Sequence, residues 1–148
     1  MIDSVALYDR LAGMMNDRPN TYETLGDIYM DLALILRRDG GDARILLGFE
    51  GIQCVRVAEF DDGEEANADC WLEGDLDSWQ KMFDDILANG KATGEWTLNA
   101  ATMVGEDIKL EATDPMGWDK FHRFNQTLQE FFDASAEVLS EEVSDASA

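Results

Sequence analysis

The side chains best suited to chemistry at neutral pH are one histidine, His122, and two cysteines, Cys54 and Cys70. An imidazole can shuttle protons or bind a metal, and a thiolate can attack an electrophile. Their spacing supports neither role. The cysteines lie 16 residues apart without a CxxC pair, and the histidine is remote from both in sequence. Structural zinc sites take four such ligands at tight spacings. The cysteines therefore read as buried free thiols on neighbouring strands, with a cross-strand disulfide as the lesser alternative. His122, between Phe121 and Arg123, falls at the edge of an aromatic helix face or in solvent, which suits a structural role better than base catalysis. Ser4 and Ser78 lack a GxSxG context, and neither GxGxxG nor GxxxxGK[ST] occurs. Acid pairs such as Asp61-Asp62, Glu64-Glu65, Asp84-Asp85 and Glu141-Glu142 fall in turns, on solvent faces or near the end of the chain. Asp114, before Pro115, is better explained as a helix cap than as a base. Asp69 is the acid to watch, because it sits in a central strand, and it is expected to point outward. No catalytic residue, metal ligand or cofactor follows from these patterns, and a non-enzymatic protein is expected.

Charge narrows the partners. Thirty-two acidic residues against 11 basic ones give a formal net charge of −21. Such a chain is repelled by nucleic-acid backbones and by anionic membranes. The acids are scattered rather than arranged in a phosphate-like stripe. They read as a strongly solvated surface, suited to a salty cytoplasm, or as complementary to a basic partner protein. No apolar run approaches the roughly 20 residues of a membrane span, and the amino terminus does not resemble a signal peptide. A cytoplasmic protein without stable membrane insertion is expected.

The elements that position these side chains follow from hydrophobic period and turn residues. Residues 3–15 form a short helix with Val5, Leu7, Leu11, Met14 and Met15 apolar. Asn20 and Glu23 make a capping box for a helix through Leu25, Ile28, Tyr29, Leu32 and Leu36, broadened by Ala33 and Ile35 and stopped by Gly40-Gly41. Residues 43–50 and 52–60 are strands, the second ending at the turn Asp61-Asp62-Gly63. Residues 66–74 alternate, with Ala68, Cys70 and Leu72 facing one way and Asp69, Trp71 and Glu73 the other. A helix over 77–89 gathers Trp79, Met82, Phe83, Ile86 and Leu87 on one face and ends at Asn89-Gly90. Residues 94–104 read as a strand carrying Trp96 and Leu98. A turn at Gly105-Glu106 leads to a strand over 107–113. Asp114-Pro115 then starts a long aromatic helix with Trp118, Phe121, Phe124, Leu128, Phe131 and Phe132.

The expectation is an α+β fold, an antiparallel five-stranded sheet covered by helices in the order α-α-β-β-β-α-β-β-α. Residues 1–19 form a helical arm, 20–134 the domain, and 135–148 an acidic tail whose last residues, 140–148, are expected to be disordered. Three stretches carry a resemblance: Ala68-Asp69-Cys70-Trp71-Leu72-Glu73, the helix from Trp79 to Gly90 directly after it, and the hairpin from Phe49 to Gly63. Together with the element order they resemble the sterol carrier protein-2 family, the sterol-binding domain, over residues 20–133. The chain departs from that pattern after Gly90, where a longer hairpin precedes a long aromatic helix. The resemblance implies a sterol-carrier-like domain that holds a lipid-like or other hydrophobic small molecule between sheet and helices, with no catalytic residues to carry over. Its wall would come from Cys70, Leu72, Met82, Phe83, Ile86, Trp96, Leu98, Phe121 and Phe124. From sequence alone a filled core and an apolar cavity look the same. The alternative is therefore an accessory subunit bound to a partner enzyme of hydrophobic-substrate metabolism, or a homodimer with a filled core.

Overall fold

The chain's most apolar segment, Ile28–Arg37, becomes the central strand β1 of a five-stranded sheet. The structure is a computed structural model that describes residues 1–103 and 107–147, with side chains described as far as residue 144. Strand β1 pairs antiparallel with β2 (Ala43–Gly51) and parallel with β4 (Cys70–Asp75). Strand β3 (Gln53–Glu59) flanks β2, and the short β5 (Lys109–Glu111) flanks β4, giving the order β3-β2-β1-β4-β5. The sheet is thus five-stranded and helix-covered as expected, but mixed rather than wholly antiparallel.

The helix expected across residues 20–38 is corrected. Only α2 (Pro19–Leu25) is helical, and Gly26 at φ 96° ends it. From Ile28 onward the period is two. Ile28, Met30, Leu32, Leu34 and Leu36 are buried in the core, while Ala33 and Ile35 are buried on the opposite face. A strand flanked on both sides and buried on both faces reads as an unbroken apolar run, and such a run also satisfies a helical stripe. Its leucines, alanine and methionine are good helix formers, so pairing and burial override local propensity here. Gly40 and Gly41, at φ 84° and 130°, turn the β1–β2 hairpin instead of stopping a helix. Because β1 separates β2 from β4, Cys54 on β3 and Cys70 on β4 are not on neighbouring strands, and both thiols are free.

Helices cover one face. Helix α1 (Val5–Asn16) is capped by the Ser4 hydroxyl and buries Leu7, Tyr8, Leu11, Ala12 and Met15 in the same core as the sheet. The boundary expected after residue 19 therefore does not mark a separate core. Helix α3 (Leu76–Asn89) starts where expected, with the Asp75 carboxylate accepting from the Ser78 amide, and Gly90 closes it at φ 79°. Of the strand expected over 94–104, residues 94–103 do not form one. Among the described residues they hold a 3-10 turn at Gly94–Trp96 and one turn of helix, α4 (Leu98–Ala101). There the Thr97 hydroxyl caps the Ala100 amide, and Gln129 Oε1 accepts from the Leu98 amide. The alternation of Trp96 and Leu98 was too short to tell a strand from this turn. Val104 and the turn expected at Gly105-Glu106 lie outside the described residues.

The single aromatic helix resolves into α5 (Pro115–Arg123) and α6 (Asn125–Asp133), broken at Phe124. The tail is corrected as well. Residues Ser135–Ser147 form α7, which buries Val138 and Leu139. Glu137 pairs with Arg18, Glu141 with Arg10, and Glu142 with the Met1 amine. The two apolar residues looked isolated in sequence, because their partners are distant in the chain, on α3 and α1. At the sheet's edge, the Asn16 side-chain amide donates to the Cys54 carbonyl (3.0 Å) and accepts from its N–H (2.9 Å). That side chain satisfies two backbone groups that an edge strand would otherwise leave unpaired.

Candidate functional site

The apolar layer between the sheet and α1, α3 and α6 is the feature on which the sequence reading converges. Leu72 and Cys70 enter it from β4, and Met82, Phe83 and Ile86 enter from α3 at helical spacing. Leu98 arrives from α4 and Phe121 from α5. These seven are fully buried, all at 0% exposure. Trp96 and Phe124 are half-buried and pack against the same cluster. All nine expected wall residues are therefore brought together in one continuous core.

That core is occupied by side chains. Phe83 meets Phe132 at 6.1 Å and Tyr8 at 6.5 Å between ring centroids, and Phe49 stands edge-on to Phe131 at 5.2 Å. Buried Trp79 donates its indole N–H to the Ile35 carbonyl at 3.1 Å. The sequence reading missed the contribution of β1, whose Leu32, Leu34 and Leu36 floor this layer. The two-residue period from Ile28 to Leu36 was the available signal.

Among the described residues, four surface clefts lie around the core, and none of these four is lined by any of the nine residues. One of them, about 740 Å³ and the largest of these four, lies between the end of α3, α6 and α7. Leu87 and Ala134 line it beside Glu130, Asp133 and Arg18. Burial pushes the Asp133 carboxyl above its ordinary range, partly offset by hydrogen bonds from the Ala92 amide and from Gln129.

The candidate chemical groups are structurally engaged or inert. Asp69 accepts from the Asp31 amide at 2.8 Å and from the Lys120 ammonium at 2.9 Å, so it ties β1 to α5. Directly beside it, Gly117 on α5 packs so closely that a Cβ there would lie 1.8 Å from the Asp69 carbonyl oxygen. Burial raises the Cys54 thiol to about 11 and the Cys70 thiol to about 12, so both stay protonated and unreactive near neutrality. His122 is exposed and stands edge-on to Phe121. Trp118, expected inward, is 39% exposed, since α5 turns that side away from β4. Among the described residues no group of three or more His, Cys, Asp or Glu is placed to hold a metal ion. No helix among them is long and apolar enough to cross a membrane.

One apolar layer between a helix-covered sheet face and its helices, with a mixed five-stranded sheet, defines a sterol-carrier-like α+β fold, and solved structures share it. A crystal structure of sterol carrier protein 2 superposes with a TM-score of 0.69 over 93% of this chain and 98% of its own, at 19% identity. The solution structure of a conserved hypothetical protein of Thermus thermophilus, described as a candidate sterol carrier protein, superposes with a TM-score of 0.64. It covers 88% of this chain and 87% of its own, also at 19% identity. No protein-family model matches the sequence, and no curated protein matches it significantly.

Proposed function

We propose that this chain is a non-enzymatic binding domain that holds a lipid-like or other hydrophobic small molecule between its sheet and helices. The observation that carries the reading is the gathering of the nine residues into one apolar layer on one sheet face. The likeness in fold to sterol carrier protein 2 supports it. Space for a ligand comes from side chains that can yield, and buried Met82 is an unbranched, adaptable one. Helix α7 is the part of the cover most easily displaced. Among its described residues it buries Ser135, Val138 and Leu139 deeply, and exposed ion pairs like those that hold it contribute about 0–1 kcal/mol each. The acidity selects the donor. Cargo comes from solution, from an enzyme or from a neutral membrane, and transfer from an anionic bilayer quickens as salt screens the repulsion.

A second reading, a packed accessory subunit of an enzyme of hydrophobic-substrate metabolism or a homodimer, is favoured by the closeness of the rings inside the core. Native mass spectrometry of protein purified from its own cells separates the two. An extra mass that leaves on denaturation supports the binding domain. A bare monomer or a bare dimer mass, with no saturable uptake of lipid or aromatic probes, overturns it.

A further inference from the structure

The opposite face of the sheet carries a second site of different character. Asp31 on β1, Gly48 on β2 and Arg56 on β3 stand in register across three strands. Glycine at the centre leaves a notch between a carboxylate and a guanidinium stem. A Cβ on Gly48 would lie 3.2 Å from Asp31 Oδ1 and 3.1 Å from Arg56 Cβ. The notch opens into a cleft of about 260 Å³ floored by Ala33 and Leu46 and flanked by Phe60. Glu59, Glu64 and Asn67 line it as well.

Among the described residues the Arg56 guanidinium makes no ion pair and the Asp31 carboxylate accepts no hydrogen bond, although most of this chain's arginines are paired with acids. Opposite charges on either side of an apolar floor, held apart and left without partners, match the two ends of a zwitterion. Glu59 pairs in register with core-facing Ile45, so its carboxylate belongs to the covered face. The Asp31 and Glu64 carboxylates against one guanidinium favour a ligand with one further positive charge.

We propose that this cleft binds a basic α-amino acid. Its carboxylate pairs with Arg56 and its α-ammonium with Asp31. Its aliphatic chain lies over Ala33, Leu46 and Phe60, and its terminal cation meets Glu64. The site is independent of the apolar core, because the residues of β1 that line it, Asp31 and Ala33, alternate with those that enter the core.

The test is isothermal titration of the full chain with L-lysine, with 1,5-diaminopentane, which lacks the carboxylate, and with 6-aminohexanoate, which lacks the α-amine. Lysine should saturate one site, and each truncated analogue should bind about tenfold more weakly or worse. Arg56→Gln should lower lysine affinity by about tenfold while leaving the diamine unchanged. Asp31→Asn should weaken lysine and leave 6-aminohexanoate unchanged. Arg56 is exposed and unpaired, so its variant should keep the wild-type melting temperature. Glu64→Gln, also at an exposed position, gives an independent check on the terminal cation. No saturable lysine binding at millimolar concentration overturns the proposal. So does equal affinity for lysine and the diamine, which would mean that the acidic surface merely gathers cations.

Discussion

The two faces of the sheet are built from the same strands and have opposite characters. On the covered face, Leu32, Leu34, Leu47 and Leu72 are at 0% exposure beneath helices, and rings fill the space above them. On the opposite face, which helices leave uncovered, Asp31, Arg44, Glu73 and Arg56 alternate with buried Ala33 and Ile35 and half-buried Leu46, and Tyr29 is 54% exposed. The difference teaches where each kind of recognition can reside. A dry face binds by shape and must open to do so, whereas a wet face can present charges at fixed separations on a rigid ladder.

Mutations that probe the covered face should have the largest effects. Phe132→Ala removes a fully buried ring that touches Trp79, Phe83 and Phe131, and should cost about 3–5 kcal/mol in denaturant unfolding. A loss below about 1 kcal/mol would mean that this layer is loosely packed and already hollow. Gly117→Ala forces a methyl into the Asp69 carbonyl and should lift α5 from β4. We expect a loss of about 1–3 kcal/mol, together with greater proteolytic sensitivity near residue 115. Asn16→Ala leaves the Cys54 N–H and carbonyl without their partner and should cost about 1–3 kcal/mol.

At the other extreme, Tyr29→Ser on the opposite face should change stability by less than about 0.5 kcal/mol. An effect comparable to Phe132→Ala would erase the distinction between the faces. The smallest effect concerns pH. The folded state raises the Asp133 carboxyl above its unfolded value, so it binds that proton more tightly than the unfolded chain does. This contribution is complete below the ordinary aspartate range and is lost as pH rises through the raised value. Asp133→Asn keeps an oxygen for the Ala92 amide. It should therefore melt slightly higher than wild type at neutral pH, with the gap closing in acid.

Much of this contrast is legible in the chain. The helix at 76–89, the hairpin of β2 and β3, and the inward set Cys70 and Leu72 follow from period and caps, and each local signal agrees with the tertiary one. Legibility fails where two periods fit the same letters. The run from Ile28 to Leu36 offers a helical stripe and a strand buried on both faces. Only the presence of β2 and β4 on either side selects the strand. Residues 135–147 fail for the opposite reason. Val138 and Leu139 are too few to announce a helix, and their partners come from α1, α3 and the amino terminus. The nine wall residues could be grouped from sequence, but how tightly they close on one another is a matter of fit that period does not encode.

The Asn16 amide has a consequence for how this molecule behaves among its own copies. Strand β3 is seven residues long at one border of the sheet, while β5 at the other border is only three. A border strand with free peptide groups is a template on which further chains can stack, and fibril growth begins from such an invitation. By occupying the Cys54 peptide groups with a side chain of its own, the protein takes one hydrogen-bonding position of that border out of a neighbouring strand's reach.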